Sequence, residues 1–155
     1  MKKKIIVIYI LCIFFLVGCE NKEENIKNDY ITMKNNVIEE EEYTKAEDLP
    51  LDIIVDINRE EELIKYKITL KNPKETMKDI VALVVHNHYS ENLFPSVGIF
   101  DEKKELLVTD KDKTIELEDT IDTTKDISKL NLELKIWIKY KNEQNEEKEV
   151  LYKAT

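Results

Sequence analysis

The amino-acid sequence predicts an all-β fold, a sandwich of two antiparallel sheets built from seven or eight strands. Three observations predict it. From Leu51 onward, apolar residues alternate with polar ones in several short runs. Turn-forming stretches such as Asn72-Pro73-Lys74-Glu75 and Asn142 to Glu146 separate those runs. No window beyond Leu51 carries a convincing amphipathic helix pattern.

Each element follows from its own pattern. Leu51, Ile53, Val55 and Ile57 alternate with Asp52, Asp56 and Asn58, and Ile54 breaks the rule. Ile64, Tyr66, Ile68 and Leu70 alternate with Lys65, Lys67, Thr69 and Lys71, the signature of a half-buried strand. Ile80 to His88 is apolar on both faces through Val85, which predicts a central strand. Pro95 breaks the loop over 92–96, since proline cannot donate to a ladder. Short strands are expected at 97–100, 105–109 and 113–118. A long one follows, with Leu130, Leu132, Leu134, Ile136, Ile138 and Tyr140 on one face, and Trp137 interrupts the polar face opposite. A hairpin loop over Asn142 to Glu146 leads to a last strand at Val150 to Lys153. About 105 residues suffice for one modest core.

The N-terminus is of another kind. Lys2-Lys3-Lys4 precedes an unbroken apolar run from Ile5 to Val17. Thirteen residues at 1.5 Å rise span about 20 Å, short of the ~30 Å hydrocarbon core of a bilayer. That length suits a secretory signal and not a membrane span. The run ends in Leu16-Val17-Gly18-Cys19, which resembles the lipobox of bacterial lipoproteins. The resemblance implies diacylglyceryl transfer to the Cys19 sulfur, cleavage before Cys19 and retention at the extracytoplasmic face of the cell membrane. Two acyl chains, at about 0.8 kcal/mol per buried methylene, anchor stably where one does not. The expected organisation is a signal peptide over 1–18, a lipid-anchored charged tether over 19–50 and a β-sandwich over 51–155. The tether holds the run Glu39-Glu40-Glu41-Glu42, with isolated apolar residues at 26, 30, 31, 33, 37 and 38. Such a stretch is expected to be disordered, because it buries too little apolar surface to offset its ordering entropy. A fluctuating helix over Tyr30 to Tyr43 is the alternative.

Composition excludes several functions. Without Lys2, Lys3 and Lys4, the chain has 21 Lys+Arg against 33 Asp+Glu, a net charge of −12. An acidic chain of this kind repels nucleic acid, which is therefore not an expected partner. Gly18 and Gly98 are the two glycines, too few for a phosphate loop or dinucleotide fingerprint. Cys12 and Cys19 are the two cysteines, and cleavage with lipidation uses up both, so no thiolate nucleophile or thiolate metal site is expected. None of Ser90, Ser96 and Ser128 sits in a nucleophile elbow, and no carboxylate pair stands out for acid–base work. The reading is a protein that is not an enzyme and has no cofactor.

Candidate sites remain. His86 and His88 stand two apart, which on a strand puts both imidazoles on one face, where they could share a metal with help from Tyr89 and Glu91. The alternative is a pair of strand-end surface histidines. Asp110, Asp112, Glu116, Glu118, Asp119, Asp122 and Asp126 crowd one region, but without the spacing or glycine bend of a calcium loop. Trp137, between Lys135 and Lys139, is a candidate anchor for a binding partner, or else packs under a neighbouring strand or loop. Phe94-Pro95 with Phe100 reads as a loop that caps the core.

Two segments carry a further resemblance. Tyr66-Lys67-Ile68-Thr69-Leu70-Lys71-Asn72-Pro73, followed by Met77-Lys78-Asp79-Ile80-Val81-Ala82-Leu83-Val84-Val85, resembles the bacterial immunoglobulin-like modules of cell-surface proteins. The strand over Leu130 to Lys141 and the final hairpin are similar to their last two strands. The resemblance implies an adhesive, spacer or ligand-binding module. The expected role is thus a non-catalytic envelope lipoprotein that meets another envelope protein or polymer. The alternative is a metal- or small-solute-binding lipoprotein that uses His86 and His88.

Overall fold

Alternating side chains need two apolar layers facing each other, and the chain builds them. A computed structural model of the protein describes residues 23–60, 62–88, 93–122 and 130–154. Two units divide the chain, 1–35 and 36–155. In the first, residues 23–35 are helical, and this helix (α1, 23–39) ends with its last turn in the second. The Thr32 hydroxyl donates to the Asn28 carbonyl within α1, at 3.0 Å.

The second unit is mostly β, as the alternation predicts. Its strands are β1 (Asp52–Glu60), β2 (Leu63–Lys71), β3 (Met77–His86), β4 (Ser96–Val97), β5 (Lys104–Leu106), β6 (Ile115–Asp122), β7 (Leu134–Lys141) and β8 (Glu147–Ala154). A single 3₁₀ turn at Ala46–Asp48 precedes them. All pairings are antiparallel. One sheet runs β1-β2-β6 and the other β4-β3-β7-β8, with β5 also paired to β3. As expected of a strand apolar on both faces, β3 lies inside its sheet.

One apolar cluster draws on both sheets. Ile64, Ile68 and Leu117 come from the smaller sheet, and Ile80, Val84, Ile136 and Ile138 from the larger. Burying each such side chain contributes about 1.5–3 kcal/mol relative to leaving it in water. Register keeps the pattern coherent: Val84 lies opposite Ile136, and Ile136 opposite Tyr152.

Turns and irregularities have local causes. Asn72 adopts φ 48° before Pro73, and its amide donates to the Asp52 carboxylate at 2.8 Å. The buried Asn142 closes the β7–β8 hairpin, its side-chain oxygen accepting from the backbone N–H groups of Gln144 and Glu146. At Asp79 (φ 51°) the β3 register shifts, a bulge tied down by the Lys141 ammonium at 2.7 Å. Gly98 sits at φ 74°, and a Cβ there would lie 2.5 Å from the Ile80 carbonyl oxygen, so glycine is required.

Four expectations need correction. Residues 23–39 are helical where a tether without stable structure was expected. The long strand begins at Leu134 and not at Leu130, although Leu132 is still buried in the core. The strand expected at 97–100 shrinks to Ser96–Val97, because Gly98 turns the chain and its N–H donates to the Asp101 carboxylate. The strand expected to reach His88 stops at His86.

Candidate interaction face

The outer face of the larger sheet departs most from a solvated surface. Residues pointing out of β3 pair with those pointing out of β7 and β8: Val81 with Lys139, Leu83 with Trp137, Val85 with Lys135, and Trp137 with Leu151. Val81, Leu83, Val85, Trp137 and Leu151 are all buried. They lie outside the inter-sheet core, so β3 is apolar on two sides for two different partners.

Residues 36–49 reach this face. Thr44 joins the free edge of β8, its N–H donating to the Leu151 carbonyl at 2.7 Å and its hydroxyl accepting from the Leu151 N–H at 3.3 Å. The Lys135 ammonium donates to the Ile38 and Glu40 carbonyls, at 2.6 and 2.7 Å. These carbonyls lie at the C-terminus of α1, where the helix dipole favours a cation. The Tyr43 ring lies near two ammonium groups, Lys135 at 5.6 Å and Lys153 at 5.8 Å from its centroid. Backbone N–H groups of Glu42 and Glu41 hold the Glu40 carboxylate below its ordinary pKa. Val37 and Leu49 are buried. A cavity of about 180 Å³ is lined by Ile38, Val85, His86, Asn87, Glu133 and Lys135.

Trp137 falls on this face, between Lys135 and Lys139, as its position in the strand predicts. It is not an exposed anchor: only 7% of it is accessible, and its indole N–H donates to the Glu149 carboxylate. The polar face inferred from its lysine neighbours is apolar once β3 and β8 are paired beside it.

No family model, curated protein or solved structure matches the chain.

The two histidines part company. His86 ends β3 and points into the sandwich, where its ring meets Tyr66 and Phe94 edge-on at 5.7 and 4.9 Å. Burial pushes its pKa down to about 4, against the opposing pull of the Asp119 carboxylate. Its Nδ1 accepts from the His88 N–H at 3.2 Å. His88 lies beyond the strand, its Nε2 3.0 Å from the Asn131 carbonyl. The shared strand face expected of the pair is therefore absent, because β3 stops two residues early. Tyr89 and Glu91 lie outside the described residues. Among the described residues no group of three or more His, Cys, Asp or Glu could hold a metal ion.

The acidic cluster is spread over strand and loop. Glu116, Glu118 and Asp122 point outward along β6, whereas Asp119 is half-buried on the inner side. Asp110 caps a turn by accepting from the Leu107 N–H at 3.1 Å. Asp126 lies outside the described residues. Phe94 is buried against His86 as a core-capping loop should be, and Phe100 is exposed. Ser90, Ser128 and Cys19 also lie outside the described residues. No helix among the described residues is long and apolar enough to cross a membrane.

Sequence reasoning missed the role of residues 36–49. For the helix a signal was present: Ile26, Tyr30, Met33 and Val37 recur at helical spacing.

Proposed function

We propose that the chain is a non-catalytic lipoprotein of the bacterial cell envelope. It is held by acyl chains on Cys19 at the extracytoplasmic face, and it presents an immunoglobulin-like β-sandwich to another envelope protein or polymer. The order of Lys2-Lys3-Lys4, the apolar run Ile5 to Val17 and Gly18-Cys19 carries this reading. The two antiparallel sheets support it as a scaffold of the kind binding modules use. The acidic balance of the mature chain directs it away from nucleic acid.

Metabolic labelling with an alkyne fatty acid tests the anchor. Label is expected on the native protein and lost in Cys19→Ser, which is released or misprocessed. An unlabelled native Cys19 would overturn the anchor. Crosslinking of the intact protein in cells tests the partner. Discrete products are expected, and their pattern is expected to change when the larger sheet is perturbed by Trp137→Ala. Unchanged products would remove this face from the partner interaction.

A further inference from the structure

Sheet edges carry unpaired backbone groups, and proteins ordinarily guard them with bulges, prolines, outward lysines or short strands. Among the described strands, the larger sheet follows that rule. Its β4 and β5 are two and three residues long, and Thr44 joins the edge of β8. The smaller sheet does not follow it at β1. Among the described strands β1 pairs with β2 alone, in an unbroken register from Asp52 to Glu60, and it holds no proline or lysine. Alternate residues of β1 therefore aim their N–H and C=O groups away from the sheet. Burial thins here as well. Leu70 and Ile68 are fully buried, but their partners Ile53 and Val55 are half-buried, and Ile57, on the same face, is 37% exposed. The core is thus incompletely covered along β1.

Register decides which occupant fits. Residues directly opposite in an antiparallel pair share a face of the sheet. A second β1, related by a two-fold axis at Val55, sets Val55 against Val55 and Ile53 against Ile57 on the inner face. On the outer face it sets Ile54 against Asp56 and Asp52 against Asn58, so no like charges meet. The adjacent registers, centred on Ile54 and Asp56, oppose Asp52 to Asp56 and Asp56 to itself. The edge strand β6 is guarded against its own kind. Registers centred on Leu117 to Thr120 oppose Glu116 to Glu118, Glu118 to itself, Asp119 to itself and Glu118 to Asp122. Within the chain, the Asp52 carboxylate accepts from the Asn72 amide, the Asn58 amide donates to Glu60, and Arg59 donates to the Leu130 carbonyl. These bonds use side chains of β1 and none of its backbone groups.

We propose that β1 is a homodimer edge: two copies pair β1 with β1, antiparallel about Val55, and join their smaller sheets into one, β6-β2-β1-β1-β2-β6. Such a contact is self-complementary and closes at two copies. It requires neither lipidation of Cys19 nor the envelope partner.

Disulfide trapping in membranes that hold the full chain tests the register, with the unaltered chain reporting any background from its own cysteines. Opposed residues bring their Cβ atoms about 4.5–5.5 Å apart, close to disulfide reach. Under mild oxidation Val55→Cys is expected to give at least tenfold more linked dimer than Glu118→Cys on β6. Ile53→Cys and Ile57→Cys are expected to link when co-expressed, and neither to link alone. Sedimentation of the purified mature chain in detergent micelles tests the charge pattern, at physiological salt that screens the net negative charge. Ile54→Asp, at an exposed outer position, sets a carboxylate opposite Asp56 of the second copy. It is expected to raise the dimer dissociation constant at least tenfold, and adding Asp56→Asn to restore it, which separates pairing from folding. Val55→Cys that links no better than Glu118→Cys overturns the dimer. Linkage of Val55→Cys to a different protein, in place of a dimer, overturns it too. Ile53→Cys that links to itself as readily as to Ile57→Cys, or Ile54→Asp without effect, overturns the register.

Discussion

The two sheets share a core but meet their surroundings differently. Outside β1-β2-β6 the surface is ionic: Lys67 pairs with Glu116 at 2.8 Å and Lys65 with Glu60 at 2.9 Å, and all four side chains are well solvated. A groove of about 560 Å³ crosses this sheet, lined by groups of both signs such as Asp56, Lys65 and Glu118. The corresponding face of β3, β7 and β8 buries Leu83, Val85, Trp137 and Leu151. Antiparallel sheets ordinarily keep one wet face. The smaller sheet obeys this rule, and the larger breaks it at the point where residues 36–49 arrive. The difference shows that residues 36–49 are part of the same folded unit as the sheets.

The largest effect is expected where the comparison is sharpest. Leu83→Ala, on the outer face of β3, should cost about 2–5 kcal/mol, as an inter-sheet core position would, by loss of burial and creation of a cavity. Urea unfolding followed by Trp137 fluorescence checks this. Lys67→Ala, the outward position on the smaller sheet, should leave the unfolding midpoint unchanged. Equal effects at the two positions would erase the distinction between the sheets.

Next comes the pH dependence of His86, the residue that joins the sheets from inside. Its folded pKa is about 4, below the ordinary 6.5, so between those values the unfolded chain binds more protons than the folded one. Stability is then full above pH 6.5 and falls as the pH drops toward 4, by roughly 3 kcal/mol at full titration. The carboxylates Glu133 and Asp79 are held below their ordinary pKa by the ammonium groups of Lys153 and Lys141. His86→Gln should flatten the slope between pH 6.5 and 4.5, whatever its own stability. A slope that persists would assign it to another group.

Two smaller effects sharpen the picture of the larger sheet. Gly98→Ala forces a left-handed residue against the Ile80 carbonyl, so a loss of at least about 1–2 kcal/mol in thermal or chemical unfolding is expected. Glu149→Gln keeps an acceptor for the Trp137 indole but removes its charge, and should cost about 0.5–1.5 kcal/mol. A shift in Trp137 emission should accompany it. Unaltered emission would separate the indole from Glu149.

The sequence revealed the sheets better than their surroundings, and for a physical reason. Alternation over Ile64 to Leu70 reports which face of one strand is dry, because period two is a local property. The status of the opposite face depends on what is laid over it, which no single strand encodes. Trp137 shows this: its neighbours Lys135 and Lys139 suggest water, while its cross-strand partners Leu83 and Leu151 bury it. Leu130 and Leu132 kept the alternating pattern without joining the strand. His86 and His88 looked equivalent by spacing, but one lies inside the sandwich and the other beyond the strand end. The helix over 23–39 was hidden because its apolar residues at helical spacing, Ile26, Tyr30, Met33 and Val37, are few among charged and amide side chains.

The strand order also governs how fast such a chain organises itself. The hairpins β1–β2 and β7–β8 close over a few residues, but each sheet is completed by distant pairings, Ile64 with Ile121 and Ala82 with Ile138. Loop-closure entropy must be met before those pairings stabilise anything, which places folding of such topologies in about the millisecond-to-second range. A newly made chain therefore keeps its strand edges unpaired for about that long before its sheets lock together.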